Sequence, residues 1–123
     1  AGFSNTTPWL SVNENYRQIN IAKQEQDPDS VLHYFRKMIG LRKAHLALVY
    51  GRFDLVDEDN PQLFAYTRML GEESYLVVLN FSDRRAILDA DVDTERSQIL
   101  IGNYDTNHLN HSYRPYEAVI YKL

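Results

Sequence analysis

The side chains best suited to chemistry lie in two short polar stretches. His108 and His111 stand three residues apart in "NHLNHSY", a spacing that could place both on one side of a helical turn as metal ligands. This stretch holds no acidic residue after Asp105, so we interpret the pair as loop histidines and predict no metal site. The second stretch, "DEDN" at 57–60, lacks the glycine and closing glutamate of a calcium loop and is typical of a turn before Pro61.

Local motifs do not support the other common catalytic chemistries. The chain has no cysteine, which excludes a thiol nucleophile, a disulfide and a thiolate metal site. It also lacks the serine elbow, the glycine-rich phosphate loop and the zinc-protease helix motif, and we predict no cofactor. Glycosidic cleavage needs two facing carboxyl groups, and no local motif singles out such a pair among the acidic residues.

The length of 123 residues allows about one domain, and the composition indicates a folded protein. Hydrophobic residues make up 44% of the chain, which is enough to bury a core. The formal net charge is -4, with both signs scattered, and this disfavours nucleic acid as a partner. The longest apolar runs, "LALVY" and "YLVVL", are far shorter than the roughly 20 residues of a membrane span. We therefore expect no nucleic-acid or membrane partner. The absence of cysteine fits a reducing compartment, and we expect a cytoplasmic location.

Residues 27–45, "DPDSVLHYFRKMIGLRKAH", carry the signals of a helix. Asp27 can cap it, Pro28 suits its first position, and Asp29 favours the positive end of the helix dipole. The apolar residues form a wide arc, so this helix must cover a sheet or other helices. The arc consists of Val31, Leu32, Phe35, Met38 and Ile39. Arg42 falls within the arc, and we expect it to snorkel or to meet a carboxylate or backbone carbonyls.

From Tyr50 onward the apolar pattern changes to a period of two. Six segments predict strands: "RFDLV", "QLFAYTRM", "YLVVLNF", "RAILDAD", "SQILIGN" and "YEAVIYKL". Short strands with turn signals at this spacing predict an antiparallel β-sandwich or barrel. Both faces of "QLFAYTRM" and "YEAVIYKL" are partly apolar, so we expect this sheet to have a neighbour on each side.

Five stretches occur together and in this order: "AGFSNTTPWLSVNENYRQIN", "DPDSVLHYFRKMIGLRKAHLALVYG", "NPQLFAYTRMLGEESYLVVLNFSD", "ILIGNYD" and "RPYEAVIYKL". Their order and spacing resemble the C-terminal portion of the α-glucosidases of glycoside hydrolase family 13. The likeness is strongest to the oligo-1,6-glucosidase branch, which includes dextran glucosidases and trehalose-6-phosphate hydrolases. It covers nearly the whole chain.

This resemblance implies a division of the chain near Gly51. Members of the family have a (β/α)8 catalytic barrel, an inserted domain and a C-terminal antiparallel β-sandwich called domain C. Residues 1–50 would be the end of the last barrel loop and the final barrel helix, and residues 51–123 would be domain C. The opening stretch resembles the middle of a loop, and we expect it to be the tail of that barrel loop.

The resemblance also implies retaining hydrolysis, with an Asp nucleophile, a Glu as acid and then base, and a second Asp that fixes the sugar hydroxyls. In these enzymes all three lie at the ends of earlier barrel strands. We therefore expect none of the acidic residues from Glu14 to Glu117 to be catalytic.

The opening loop is the only part of the chain that the resemblance places near a substrate pocket, because barrel loops line the active face. Its rings and amides suit a sugar, and they belong to Phe3, Trp9, Asn13 and Tyr16. Phe3 is the candidate for a wall of the substrate pocket. Trp9 and Tyr16 can equally be interpreted as anchors of the loop on the barrel.

Three hypotheses remain open at this level. In the first, the chain is a non-catalytic part of an α-glucosidase. Its partner is then the catalytic barrel, and the barrel binds the oligosaccharide substrate. The helix face of the chain would then be uncovered in isolation and would drive self-association. The second is a free-standing carbohydrate-binding module, and the third is a structural or interaction domain. Within the first, the sequence does not separate α-1,6-linked glucans, maltose-type substrates and trehalose 6-phosphate.

Overall fold

The structure, a computed structural model, describes residues 4–94, 96–105 and 111–123. The chain divides into two compact units, Ala1–Gly40 and Leu41–Leu123. Within the described ranges, no helix combines the length and the apolar character that crossing a membrane would take. The cytoplasmic location stays a prediction.

The first unit contains short helices where the sequence predicted a loop through residue 26. A 3-10 helix covers Glu14–Arg17, and α1 covers Ile21–Gln26. The side chain of Asn20 caps α1, because its Oδ1 accepts the backbone amide of Lys23 at 3.0 Å. Polar side chains that favour caps thus start a helix in a segment without a helical apolar period.

The long helix α2, Val31–Ala44, begins later than the sequence predicted. Asp27 ends α1 instead of capping α2, and its carboxylate accepts the amide of Asp29 at 3.0 Å. Ser30 and Gln24 supply the caps, since their side-chain oxygens accept amides in the first turn of α2 at 3.4 and 3.0 Å. The predicted Asp27 cap is wrong because a local turn uses that carboxylate.

The second unit contains the end of α2, the short helix α3, Ala47–Tyr50, and seven described strands. The strands are β1 Arg52–Val56, β2 Leu63–Leu70, β3 Glu73–Asn80, β4 Ala86–Ile87, β5 Gln98–Gly102, β6 Ser112–Tyr113 and β7 Ala118–Lys122. They form a five-stranded sheet in the order β1-β2-β3-β7-β5 and a two-stranded sheet of β4 and β6. All the described pairings are antiparallel, which confirms the predicted fold class.

The β2–β3 hairpin fixes the register of the large sheet. Leu70 pairs with Glu73, which leaves a two-residue turn with Gly71 at its first position. Gly71 has φ 60°, a left-handed conformation that a hairpin turn of this kind requires and that glycine adopts without strain. A shift in register between Ile99 and Ile101 places a bulge in β5.

The hydrophobic core lies between the two sheets. One face of the large sheet packs against the small sheet and the residues beside it, so the fold is a two-layer sandwich. The buried cluster consists of Leu63, Ala65, Leu76, Val78, Ala86, Leu88, Tyr113, Val119 and Tyr121. On the other face of the large sheet, Tyr75 is buried and α3 packs on β2 and β3. The sheet therefore has a neighbour on each side, as its two apolar faces predicted.

A polar network closes one end of the sandwich. Glu117 is only 3% exposed, and its two carboxylate oxygens accept from Nη2 and Nε of Arg114 at 2.6 and 3.1 Å. The guanidinium also stacks on the ring of Tyr104, with Cζ 4.0 Å from the ring centroid. The Asn80 side chain donates to the carbonyls of Arg84 and Arg114 at 2.7 and 2.8 Å. These bonds fix the turn that leads into β7.

We expect Glu117→Gln to lower the free energy of unfolding by about 2 kcal/mol or more, because it removes the negative charge from a buried, bidentate pair. Urea unfolding followed by circular dichroism measures this change. Glu25→Gln is the matched control, since Glu25 pairs with Arg36 at 3.2 Å on the surface and exposed pairs contribute little. An equal loss in the free energy of unfolding for both substitutions would contradict the larger contribution that we expect from the buried pair.

Two buried tyrosines share a hydrogen bond inside the core. The hydroxyl oxygens of Tyr113 and Tyr121 lie 3.4 Å apart. Burial raises the pKa of Tyr113 to about 12. Burial, and then the bond to Tyr113, raises the pKa of Tyr121. Both hydroxyls therefore stay protonated in the folded chain at a pH where an unfolded chain ionises them.

We expect the free energy of unfolding to fall as the pH rises above about 10. Below this value both states hold the tyrosine protons, and above it only the unfolded state releases them, until the pH passes about 12 for Tyr113. Each tyrosine contributes at most about 1.4 kcal/mol per pH unit to the decline. Urea titrations across this range measure the slope. Tyr113→Phe should make it shallower, and an unchanged slope would contradict the assignment.

Candidate functional site

The opening loop holds the residues that the sequence predicted for a sugar site. Phe3, the predicted pocket wall, lies outside the described residues. Trp9 is 93% exposed, the carbonyl of Asn13 accepts the amide of Tyr16 at 3.1 Å, and the Tyr16 hydroxyl accepts from Nε of Arg17 at 3.2 Å. This places Asn13 and Tyr16 on one turn and leaves the indole of Trp9 in solvent.

Several described carboxylates have structural partners instead of facing one another across a cleft. Glu117 lies in the buried pair, and Asp54 accepts from Arg52 at 2.7 Å. The Asp57 carboxylate accepts a hydrogen bond from the Asn60 side chain at 2.7 Å and from the backbone amide of Asp89 at 3.0 Å. The "DEDN" stretch is therefore a turn tied to the small sheet.

The two histidines of the predicted loop do not form a described metal site. His108 lies outside the described residues, and His111 holds a hydrogen bond of 2.8 Å between its Nε2 and the carbonyl of Val92. Over the ranges that the structure describes, no three His, Asp or Glu side chains gather where they could bind a metal ion. His111 thus joins two loops of the sandwich.

Helix α2 presents an uncovered apolar stripe. We call Val31, Phe35 and Ile39 the α2 stripe, since their spacing of four places them on one side of the helix. Their exposed fractions are 79%, 62% and 39%. The sequence predicted an apolar arc that must be covered, and among the described residues of its own unit the stripe stays exposed. Such a stripe is typical of an interaction surface.

The large sheet has a second apolar surface, on the face where α3 packs. Phe53, Leu55, Phe64 and Tyr66 form it, and we call these four residues the aromatic face. The Phe53 and Phe64 rings lie 4.9 and 5.4 Å from the Tyr66 ring, tilted by 34° and 50°. Rings tilted in this way pack well against side chains.

The start of the second unit joins residues that the sequence reasoning missed. The Tyr75 hydroxyl and Nδ1 of His45 lie 2.9 Å apart, and burial, with Glu73 nearby, raises the pKa of Tyr75. Arg68 donates to backbone carbonyls of α3. The one signal for this contact in the sequence was a charged residue on the same face of β2 as Phe64 and Tyr66, because such a residue needs polar partners on an apolar face.

Comparison with known families finds two models that match the chain on either side of residue 52. Residues 1–51 match the model of the alpha amylase catalytic domain, and residues 53–120 match the model of the maltogenic amylase C-terminal domain. The chain therefore belongs to glycoside hydrolase family 13, the α-amylase superfamily. The likeness to the C-terminal portion of its α-glucosidases is confirmed.

Individual relatives cover the whole chain. It is 42% identical over 129 residues to the oligo-1,6-glucosidase of Parageobacillus thermoglucosidasius, covering 100% of this chain and 23% of the relative. The trehalose-6-phosphate hydrolase of Bacillus subtilis is 32% identical, with 99% and 23% covered. This chain thus spans about a quarter of the length of these relatives.

Solved structures support the same fold. The trehalose-6-phosphate hydrolase of Bacillus licheniformis superposes with a TM-score of 0.84 at 32% identity, over 98% of this chain and 23% of that one. The isomaltulose synthase of Erwinia rhapontici superposes with a TM-score of 0.85 at 38% identity, over 98% and 22%. Enzymes with different reactions on sugars therefore share this part of the structure.

We expect the isolated chain to self-associate through the α2 stripe. Burying one phenylalanine side chain is worth roughly 1.5–3 kcal/mol, so Phe35→Gln should raise the dissociation constant by about tenfold or more. Sedimentation velocity over a range of concentrations measures this. Lys37→Gln, on the opposite side of α2, is the control. A wild-type chain that stays monomeric at high concentration would contradict the expectation.

Proposed function

We propose that this chain is the structural, non-catalytic C-terminal portion of an α-glucosidase of the oligo-1,6-glucosidase type. The parent enzyme would hydrolyse terminal α-glucosidic bonds in oligosaccharides. The observation that carries this proposal is the 42% identity to an oligo-1,6-glucosidase across 100% of the chain. Identity at this level, spread over both matched segments, favours a shared reaction more strongly than the fold alone does.

The geometry of the described acids supports a non-catalytic role. A retaining glycosidase needs two carboxyl groups about 5 Å apart on either side of the scissile bond. The carboxylates of Glu25, Asp54 and Glu117 each face an arginine of this chain instead. The nucleophile and the acid would then come from strands of a barrel that precedes these residues, as the family resemblance implies.

The partner that we propose for the first 51 residues is that barrel. These residues match the catalytic-domain model, and they include the α2 stripe, whose apolar side chains need cover. Phe3 remains our candidate for a pocket wall, and the domain boundary between residues 50 and 51 remains a prediction. The oligosaccharide would bind to the barrel, and this chain would contribute to that binding only as part of the complete enzyme.

Two related activities compete with the proposed one. A trehalose-6-phosphate hydrolase is 32% identical to this chain, and an isomaltulose synthase is 38% identical with nearly the same fold. The first differs in substrate, and the second makes a sugar isomer. Such choices depend on groups around the reacting sugar, so the longer protein has to be assayed.

The test is the stereochemistry of the longer protein encoded with this segment. Incubated with isomaltose and followed by proton NMR, it should release glucose first as the α-anomer, because two successive displacements retain the configuration. Sucrose and trehalose 6-phosphate serve as competing substrates. A faster conversion of sucrose to an isomer, or initial β-glucose, would contradict the proposal.

The chain of 123 residues alone provides the control for the non-catalytic role. It should leave isomaltose intact over the same period, because the catalytic acids in this proposal lie in the preceding barrel. Hydrolysis above the rate in buffer alone would contradict this part of the proposal, whatever the longer protein does.

A further inference from the structure

The segment between the two family matches is tied to the sandwich by side chains. We call residues 41–51 the connector, which contains the last turn of α2 and all of α3. The catalytic-domain match ends at residue 51, so the connector belongs to it by sequence. By its contacts, however, the connector belongs to the compact unit of the strands, Leu41–Leu123. This mismatch raises the question of what holds the connector.

Arg68 reaches from the middle of β2 to the carbonyl end of α3. Its Nη2 donates to the carbonyl of Val49 at 2.8 Å, and its Nε donates to that of Ala47 at 3.4 Å. Arg42 donates to the carbonyl of Leu48 at 3.4 Å, which meets the expectation that it would find backbone carbonyls. The two guanidinium groups thus bind the carbonyls of Leu48 and Val49 near the end of the helix, and Arg68 adds a second donor to the Ala47 carbonyl, which also accepts the Gly51 amide.

A hydrogen bond of His45 and the close packing of Gly51 also hold the connector on the sheet. His45, between α2 and α3, shares its 2.9 Å hydrogen bond with the buried Tyr75 of β3. Gly51 passes so near the sheet that a Cβ there would collide with the backbone oxygens of Ala47 and Met69. The connector is therefore packed on β2 and β3 and is not a free linker.

Among these contacts, we expect those of Arg68 to contribute most to the stability of α3. A single helical turn is unstable by itself, because its few hydrogen bonds do not offset the cost of ordering the backbone. Arg68 is a rigid fork that binds two carbonyls at once, and its anchor is a strand held on both sides by neighbours. The hydrogen bonds of Arg68 thus couple the stability of α3 to that of the sheet.

We propose that Arg68 makes the connector part of the cooperative fold of the sandwich, so that residues 41–51 open together with β2 and β3. In a longer enzyme, the joint after the catalytic domain would then be stiff and set by the sandwich. This inference rests on the contacts within Leu41–Leu123 and holds whichever sugar reaction the parent carries out.

Native-state hydrogen exchange on the complete chain tests the inference. In the wild type, the amides of Val49, Tyr50 and Gly51, which bond to Leu46 and Ala47, should exchange as slowly as those shared by β2 and β3. In Arg68→Met they should exchange about tenfold faster or more, and by a larger factor than the strand amides, because two carbonyls lose a charged donor. Arg68→Lys, which keeps one donor group, serves if the methionine variant does not fold.

Arg52→Met is the matched control, because Arg52 is a surface arginine of β1 that pairs with Asp54. It should leave the exchange of the connector amides unchanged. Rapid exchange of these amides in the wild type would overturn the inference, as would their indifference to the loss of Arg68. Equal acceleration of the connector and strand amides in Arg68→Met would show that another contact holds the connector, and would overturn the role of Arg68.

Discussion

The large sheet is apolar on both faces, and most of the structure follows from the need to cover it twice. Burying apolar area is the main favourable contribution to folding, so a sheet with Leu76 and Val78 on one face and Tyr75 and Val77 on the other cannot leave either in water. The small sheet covers the first face. Helix α3 covers only part of the second, and the aromatic face continues beyond it. The described part of the strand unit thus buries the core between the two sheets and leaves apolar surface on the face of the large sheet where α3 packs.

The polar interior has a different task. Inside the sandwich, Glu117, Arg114 and Asn80 specify one geometry for the turn before β7, because each makes several hydrogen bonds with defined directions. No buried side-chain nitrogen or oxygen in the described part lacks a partner. A catalytic site, by contrast, keeps polar groups available for a substrate. The buried charged residues of this network therefore maintain the shape of the sandwich.

The sequence predicted the sheet better than the helices, for a physical reason. Alternation of period two is a strong signal, and the predicted "RFDLV" matches β1 residue for residue. The small strand β6 was missed because it lies beside a polar stretch and contains only Ser112 and Tyr113. Helix α3 is one turn long, too short to show a period, and its stability comes from Arg68, 18 or more positions later. Competition between Asp27 and Ser30 for the same cap likewise depends on side-chain geometry that spacing does not reveal.

The position of β7 in the sheet has a kinetic consequence. Strands β1, β2 and β3 follow one another along the chain and pair in that order, so they can form early from local contacts. Strand β5 pairs with β7 alone among the described strands of the large sheet, and β7 is Ala118–Lys122. During synthesis, β3 therefore exposes an unpaired edge until Ala118–Lys122 has been made. Its apolar "YLVVL" run is then open to pairing with another chain, and the pairing of β7 with β3 removes this edge.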